Sequence, residues 1–370
     1  MNGLDTPDAG TRRAAPGAPA ESKDSKDSGD GGDGGDGHAV GGRAVAVPPG
    51  WGNGGAPTGT ADEHVVRVLG TARVRTTVLH RPDGGHVWLR QQGPAHGAVL
   101  PRPGAATAAS LSALSRGAPV RLALAEPGDA EWLRYRVPGV FSVVRLLHDP
   151  AEGTRAAIRD ALHGVGAVLR LIHAVPAPAG AGTVPPGPDR LVRWLRSGDG
   201  PGASARLYEA ALARLGPRRL GLVRMWCAGA ADGPGARVLL HGGPALGALV
   251  MPADPGRPAL LTGEELSCGS WEFDVTWLLA ELAELARARE RGIGGAPAAD
   301  YPALAAAVTD GYGRRPSDGA VRRATALRIL THAHDFAAYV QWHAELLVYL
   351  DLAAEAVDAA EDGTPGADTP

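Results

Sequence analysis

The chain has 370 residues, 44% hydrophobic and 21% charged, so it has the apolar content for a buried core and the length for two domains or lobes. A formal net charge of -3 gives no electrostatic basis for binding nucleic acid or an anionic membrane, and no apolar run approaches the roughly 20 residues of a membrane span. The two cysteines, Cys227 and Cys268, lie far apart and outside any CxxC pattern, which argues against a disulfide framework or structural zinc and for a reducing, cytoplasmic setting.

Residues 1–60 contain "ESKDSKDSGDGGDGGDG" and, apart from Trp51, almost no large apolar side chain. Such a segment cannot offset its ordering entropy, so a disordered acidic, glycine-rich tail is expected there. Its start is acidic instead of basic and then apolar, so no signal peptide is expected. The GGD repeat is too short for a calcium-binding array and lacks the apolar position that each such repeat needs.

From residue 61 the texture changes. "HVVRVLG", "VRTTVLHR" and "HVWLRQQ" read as short strands, with "RPDGGH" (81–86) as a hairpin turn between the last two. "AATAASLSALS" (105–115) reads as a helix, and "PVRLALAE" and "EWLRYRVPG" as two strands joined in a hairpin through "EPGDA". After "VPGV" (137–140) the period becomes helical. "TRAAIRDALHGVGAVLRLIHAV" (154–175) places apolar residues three and four apart, and "RLVRWLRS" and "SARLYEAALARLG" continue the pattern. Three short strands follow, "ARVLLHGG", "LGALVMP" and "PALLTG", and from "EFDVTWLLAELAELARARER" onward the chain is almost wholly helical. The expected fold class is α+β in two lobes: a small antiparallel-sheet lobe over 61–137, and a helical lobe over 138–355 with a β insert at 237–263. A second disordered tail is expected over 356–370. A ligand would sit between the lobes.

Several motifs in this order resemble the aminoglycoside phosphotransferase and choline-kinase-like small-molecule kinases, over roughly residues 64–345. "LLHGGPALGALV" lines up with the family's HGDxHxxN catalytic loop, and "LLTGEELSCGSWEFDVTWLLAEL" (260–282) with its metal-binding segment. "LHGVGAVLRLIHAV", ending at His173, fits the long helix that closes on Leu-x-x-Leu-His, and "VWLRQQ" sits where the strand with the phosphate-contacting lysine belongs. The resemblance implies a protein-kinase-like fold, and His241, Gly242, Gly247, Gly269, Phe273 and Asp274 keep the family's residue types. It also implies a degenerate member. The catalytic Asp falls on Gly243, the metal-binding Asn on Ala248, the metal-binding Asp on Thr262 and the lysine on Arg90, and no Glu in 105–115 can pair with Arg90. Losing a general base costs about 10²- to 10⁴-fold in rate, and losing the metal removes further stabilisation of the transferring phosphate.

The remaining candidates carry two readings each. Glu264 and Glu265 are acids of a solvated turn or displaced metal ligands, and Glu264, two residues on from Thr262, has the better geometry for the second role. Arg90 is an exposed strand residue covering apolar surface with its stem, or a cleft cation together with Tyr135 and Val137 of the hinge strand 132–137. His241 is a buried, hydrogen-bonded loop holder or a cleft residue. Asp274 is a bracing residue at a helix start, expected within hydrogen-bonding reach of the 241–243 loop. In "HAHDF" (332–336), His332 and His334 two apart on a helix face different directions, so they share no metal.

These readings imply a non-catalytic binding or scaffold protein for a peptide, small molecule or partner enzyme, with no metal or cofactor expected. Such kinase-like chains occur in natural-product clusters, including those of ribosomally made, dehydrated peptides of the lanthipeptide type. Two alternatives stand beside it: an active ATP- and Mg²⁺-dependent phosphotransferase with relocated catalytic groups, and a regulator that binds nucleotide without metal through Arg90 and the hinge strand.

Overall fold

The computed structural model describes residues 62–362 except 96–99, 129–130, 178–181, 183 and 234, so the expected tail over 1–60 lies outside the described residues. The smaller lobe is an antiparallel sheet of β1 (His64–Gly70), β2 (Val74–His80), β3 (His86–Gln92) and β5 (Trp132–Val137), in the order β1-β2-β3-β5. The β2–β3 ladder is in full register from Val74↔Gln92 to His80↔His86, closed by the turn expected at 81–86. Helix α1 (Ala105–Ser115) forms where its alanine-rich run predicts.

Strand β4 (Arg121–Leu124) departs from the expected hairpin. It pairs in parallel with β8 (Ala259–Thr262), which in turn pairs antiparallel with β7 (Leu249–Val250). The reason lies in "RLAL" itself. Leu122 and Ala123 are both buried, one against the helical core and the other against the core beneath the sheet. A strand covered on both faces needs apolar side chains on both, as parallel strands do.

The larger lobe holds α2 (Val143–Leu146), α3 (Glu152–Ile172), α4 (Pro186–Ser197), α5 (Ser204–Ala228), α6 (Glu272–Glu290), α7 (Tyr301–Tyr312), α8 (Asp318–Tyr339) and α9 (Glu345–Asp362). Helix α5 continues past the "RLG" expected to end it. Gly216 takes φ 73° and kinks the chain, and Pro217 restarts it, its ring suited to a first helical turn. Helices α3 and α7 approach closely at glycines: a Cβ on Gly311 would lie 2.7 Å from the carbonyl carbon of His163. Helix α9 runs to Asp362, beyond the expected boundary at 355, because Ala356, Val357 and Ala360 pack into the helical core instead of starting a tail. Strand β9 (Ser267–Gly269), too short to read in the sequence, pairs with β6 (Val238–Leu240). The result is the expected α+β arrangement, a small antiparallel sheet on a larger helical body. Among the described residues no helix is long and apolar enough to cross a membrane.

Candidate functional site in the interlobe cleft

Strand β6 delivers the turn 241–245, which passes through a 3-10 turn at Leu246–Ala248 into β7. Helix α6 holds this turn by its backbone, and β8 holds it through a side chain. Asp274, fully buried in the first turn of α6, accepts the N–H groups of His241 at 2.6 Å and Gly242 at 2.9 Å. The same carboxylate accepts from His173 Nε2 at 3.0 Å, while His173 Nδ1 lies 2.9 Å from the Tyr312 hydroxyl. Burial pushes the Tyr312 hydroxyl up to about 12, so it stays protonated and donates to that nitrogen. Two helical turns further along α6, Glu281 accepts the N–H of Leu246 at 2.9 Å. Burial raises the pKa of Glu281 and Arg328 opposes that rise. On the other side His241 Nε2 donates to the carbonyl of Leu261 in β8 at 2.9 Å, which leaves Nδ1 without a hydrogen-bond partner. His241 therefore does hold the loop, and it also lines the cleft.

Gly242 has φ 85°, and a Cβ there would run into the carbonyl of Glu265. At Gly243 a Cβ would meet the Glu265 carboxylate, whose Cδ would lie 3.0 Å away. Any side chain at 243 and the acid on the β8–β9 turn thus compete for one place. Glu265 itself faces Arg73 at 3.5 Å and Arg190 at 3.6 Å.

Arg90, Tyr135 and Glu264 form one cluster. The Arg90 Nη1 and the Tyr135 hydroxyl each donate to Glu264 Oε1 at 2.7 Å. Burial works against a charged Arg90, and the neighbouring Glu264 outweighs it, so the guanidinium stays charged. Burial also drives the Tyr135 hydroxyl far above its ordinary range. Arg90 is 25% and Glu264 12% exposed, so neither the exposed strand cation nor the solvated turn acid is what the fold contains. Val137 packs into the sheet core and, like Tyr135, lines neither cleft cavity. Ala248 lines the cleft with a methyl group. Thr262 is buried and spends its hydroxyl on the Leu260 carbonyl of its own strand.

The motifs that carry the resemblance assign no role to other cleft residues, and in "HAHDF" the histidines and Asp335 bear only on metal binding. Trp88, 4% exposed, inserts between the sheet and β7–β8 and donates its indole N–H to the Gly139 carbonyl, just past β5, at 3.2 Å. Arg190 of α4 pairs with Asp335 of α8 at 2.9 Å. Burial alone would raise the Asp335 pKa, but Arg190 holds the carboxyl well below the usual range. Arg328 pairs with Glu281 at 3.1 Å, and His332 with Glu284. His334 bonds its neighbour Asp335, so the two histidines do point to different partners. Apart from the neighbours His334 and Asp335, these pairings join residues 47 to 145 positions apart, and each residue alone reads as an ordinary charged position on an amphipathic helix. Among the described residues, no three His, Cys, Asp or Glu side chains gather as a metal-ligand cluster.

Two adjoining cavities make up the cleft. One of about 360 Å³ is lined by the turn and by Trp88, Arg90, Arg190, Glu264 and Glu265. The other, of about 520 Å³, is mostly apolar, with walls from Val144, Leu285, Phe336, Val340 and Tyr349. They share Leu69, Arg73, Val74, Thr76, Arg90, Arg328 and Asp335.

No family model matches the chain, and no curated protein matches it. Solved structures similar to it include the macrolide 2'-phosphotransferase MphH from Brachybacterium faecium, at 19% identity over 81% of this chain and 93% of that one, with a TM-score of 0.40. The choline kinase from Cryptosporidium parvum matches at 10% identity over 85% and 92%, with a TM-score of 0.46. The amicoumacin kinase hAmiN matches at 12% identity over 81% and 88%, with a TM-score of 0.48.

Proposed function

We propose that this chain is a binding or scaffold component with a kinase-like cleft, and that it does not carry out metal-dependent phosphoryl transfer. The observation that supports this most is the Arg90–Glu264–Tyr135 cluster. The cation that should meet phosphates and the acid best placed to hold a metal neutralise each other. Glycine, alanine and a hydroxyl turned onto its own strand stand at 243, 248 and 262, so the residues present do not fit Mg²⁺. The occupant we propose is a peptide, a small molecule or a partner enzyme. The setting we propose is the natural-product, lanthipeptide-like one that the sequence resemblance implies.

Calorimetric titration of the full chain with ATP, with and without Mg²⁺, tests the reading. No Mg²⁺-dependent binding is expected, and tight Mg²⁺-dependent binding would overturn it.

One observation favours a second reading, an active phosphotransferase with a relocated acid. The Glu265 carboxylate occupies the space that a side chain at 243 would enter. On that reading ATP-dependent phosphate incorporation into a Ser/Thr peptide would be measurable and lost in Glu265→Gln.

A further inference from the structure

The polar cavity of the cleft holds more donors than the protein uses. Its charged lining is four arginines, Arg73, Arg90, Arg190 and Arg328, against three carboxylates, Glu264, Glu265 and Asp335. The ion pairs already described occupy those carboxylates, and Arg328 is held from α6 by Glu281 at 3.1 Å and Glu284 at 3.6 Å, yet the Nε–H of Arg190 is buried and finds no partner in the protein. Thr331, 2% exposed, lines the same cavity, and its hydroxyl is likewise unpartnered. Arg328, Thr331 and Asp335 fall three and four residues apart on α8, so one helix face carries them into the cavity. Buried guanidinium and hydroxyl donors left unpaired are costly, at about 1–3 kcal/mol each. A cavity with unpaired donors answers that cost when an acceptor enters it.

The adjoining cavity has the opposite character, and the two share walls. At about 360 and 520 Å³ each is in the size range of small-ligand sites. We propose that the cleft binds an oxyanion, a carboxylate or a phosphate monoester, joined to an apolar body. The anion takes the free Nε–H of Arg190 and the hydroxyl of Thr331, and the apolar body lies against Phe336 and Tyr349. No metal takes part. An acidic side chain of a peptide next to an apolar residue presents the same chemistry. The site rests on the reading of this chain as a binding protein and names what its cleft takes.

Calorimetric titration of the full chain with phenyl phosphate, phenylacetate, inorganic phosphate and benzyl alcohol tests this. Phenyl phosphate or phenylacetate should bind saturably at one site, and whichever binds tighter identifies the oxyanion. Inorganic phosphate and benzyl alcohol, each offering half of the ligand, should bind about tenfold more weakly or worse. Arg190→Gln should weaken the aromatic anion by roughly tenfold or more, since a charge-assisted hydrogen bond is lost. Because Arg190 also supports Asp335, Thr331→Val provides a milder variant. It should weaken the anion several-fold and leave the thermal midpoint within a few degrees of wild type. Absence of saturable binding by either aromatic anion, equal binding of benzyl alcohol, or unchanged affinity in Thr331→Val would each overturn the proposal. The ATP titration fails or succeeds separately: Mg²⁺-dependent ATP binding would sink the non-catalytic reading, whereas loss of anion binding alone would sink only the site.

Discussion

Alanine substituted in turn for Gly242 and Gly243 sets two adjacent residues of the 241–245 turn against each other. At Gly242 the backbone has φ 85°, and a left-handed conformation costs a non-glycine residue roughly 1–2 kcal/mol. A Cβ there would also lie 2.7 Å from the carbonyl carbon of Glu265 and 3.0 Å from Ser267 Oγ. The carbonyl is backbone of the β8–β9 turn and cannot rotate aside, so overpacking adds about 1–3 kcal/mol. Gly242→Ala should therefore cost about 2–5 kcal/mol. At Gly243 the obstruction is the end of a flexible side chain, with Glu265 Cδ at 3.0 Å and Cβ at 3.7 Å. Moving that carboxylate gives up contacts to Arg73 at 3.5 Å and Arg190 at 3.6 Å, each about 0–1 kcal/mol for a partly exposed pair. Gly243→Ala should cost about 1 kcal/mol.

Urea-denaturation midpoints of the wild type, both single variants, Glu265→Ala and Gly243→Ala/Glu265→Ala measure this. The double variant should be no less stable than Glu265→Ala alone, because the methyl group then meets nothing it must displace. Contacting residues should be non-additive in this sense. Equal costs at 242 and 243, or strict additivity of the 243 and 265 changes, would refute the claim that the Glu265 carboxylate fills the space beside Gly243.

Three further outcomes follow from the cleft. Arg90→Met should cost about 2 kcal/mol, less than the 3–5 of a fully buried pair because both partners retain some exposure, and adding Glu264→Gln should recover part of it; a loss below about 0.5 kcal/mol would mean that solvent screens the pair. Trp88→Ala should cost about 3–5 kcal/mol and Trp88→Phe less, the latter chiefly through the stranded Gly139 carbonyl; denaturant titration showing Phe to be as costly as Ala would rule out a packing role for the ring. For His332, burial disfavours protonation, but the charge and hydrogen bond of Glu284 outweigh it, so its folded pKa lies above the ordinary 6.5. Its stabilisation is therefore complete below the unfolded pKa and lost as pH rises through the folded one. Midpoints across that pH range should fall in wild type and stay flatter in His332→Gln, and parallel curves would refute the assignment.

What the sequence made legible was whatever repeats along one element or sits in one motif. Helical periodicity located α3 and α6, and the "RPDGGH" turn located the β2–β3 hairpin. The family resemblance of "HGG" and "EFD" implied that Asp274 reaches the turn, where it accepts two backbone N–H groups. Pairings across long stretches of chain were not legible. Arg190 and Asp335 are 145 residues apart, and each looks like an ordinary solvated position of its own helix. Trp88 read as one apolar residue of an alternating strand, because nothing local predicts that its indole reaches Gly139. The β4–β8 pairing was missed for a related reason: "EPGDA" carries a convincing turn, and only burial of both faces of "RLAL" decides against the hairpin.

The way the turn is held explains how its conformation can persist whatever side chains stand at 243 and 248. Its anchors to α6 are the backbone N–H groups of His241, Gly242 and Leu246, taken by Asp274 and Glu281. A backbone donor is present whatever side chain follows it, so residues 243 and 248 can change without releasing the turn. The side chains that matter for the frame are different ones. His241 reaches β8, Gly242 supplies the left-handed step, and Asp274 sits without exposure at the junction of α3, α6 and the turn. The side chains at 243, 248 and 262 play no part in these anchors. Fold and chemistry are thus carried by separate atoms of one short segment. On the proposed reading, the cleft between the lobes became available to arginine–carboxylate pairs and to a ligand of a different charge without loss of the scaffold that shapes it.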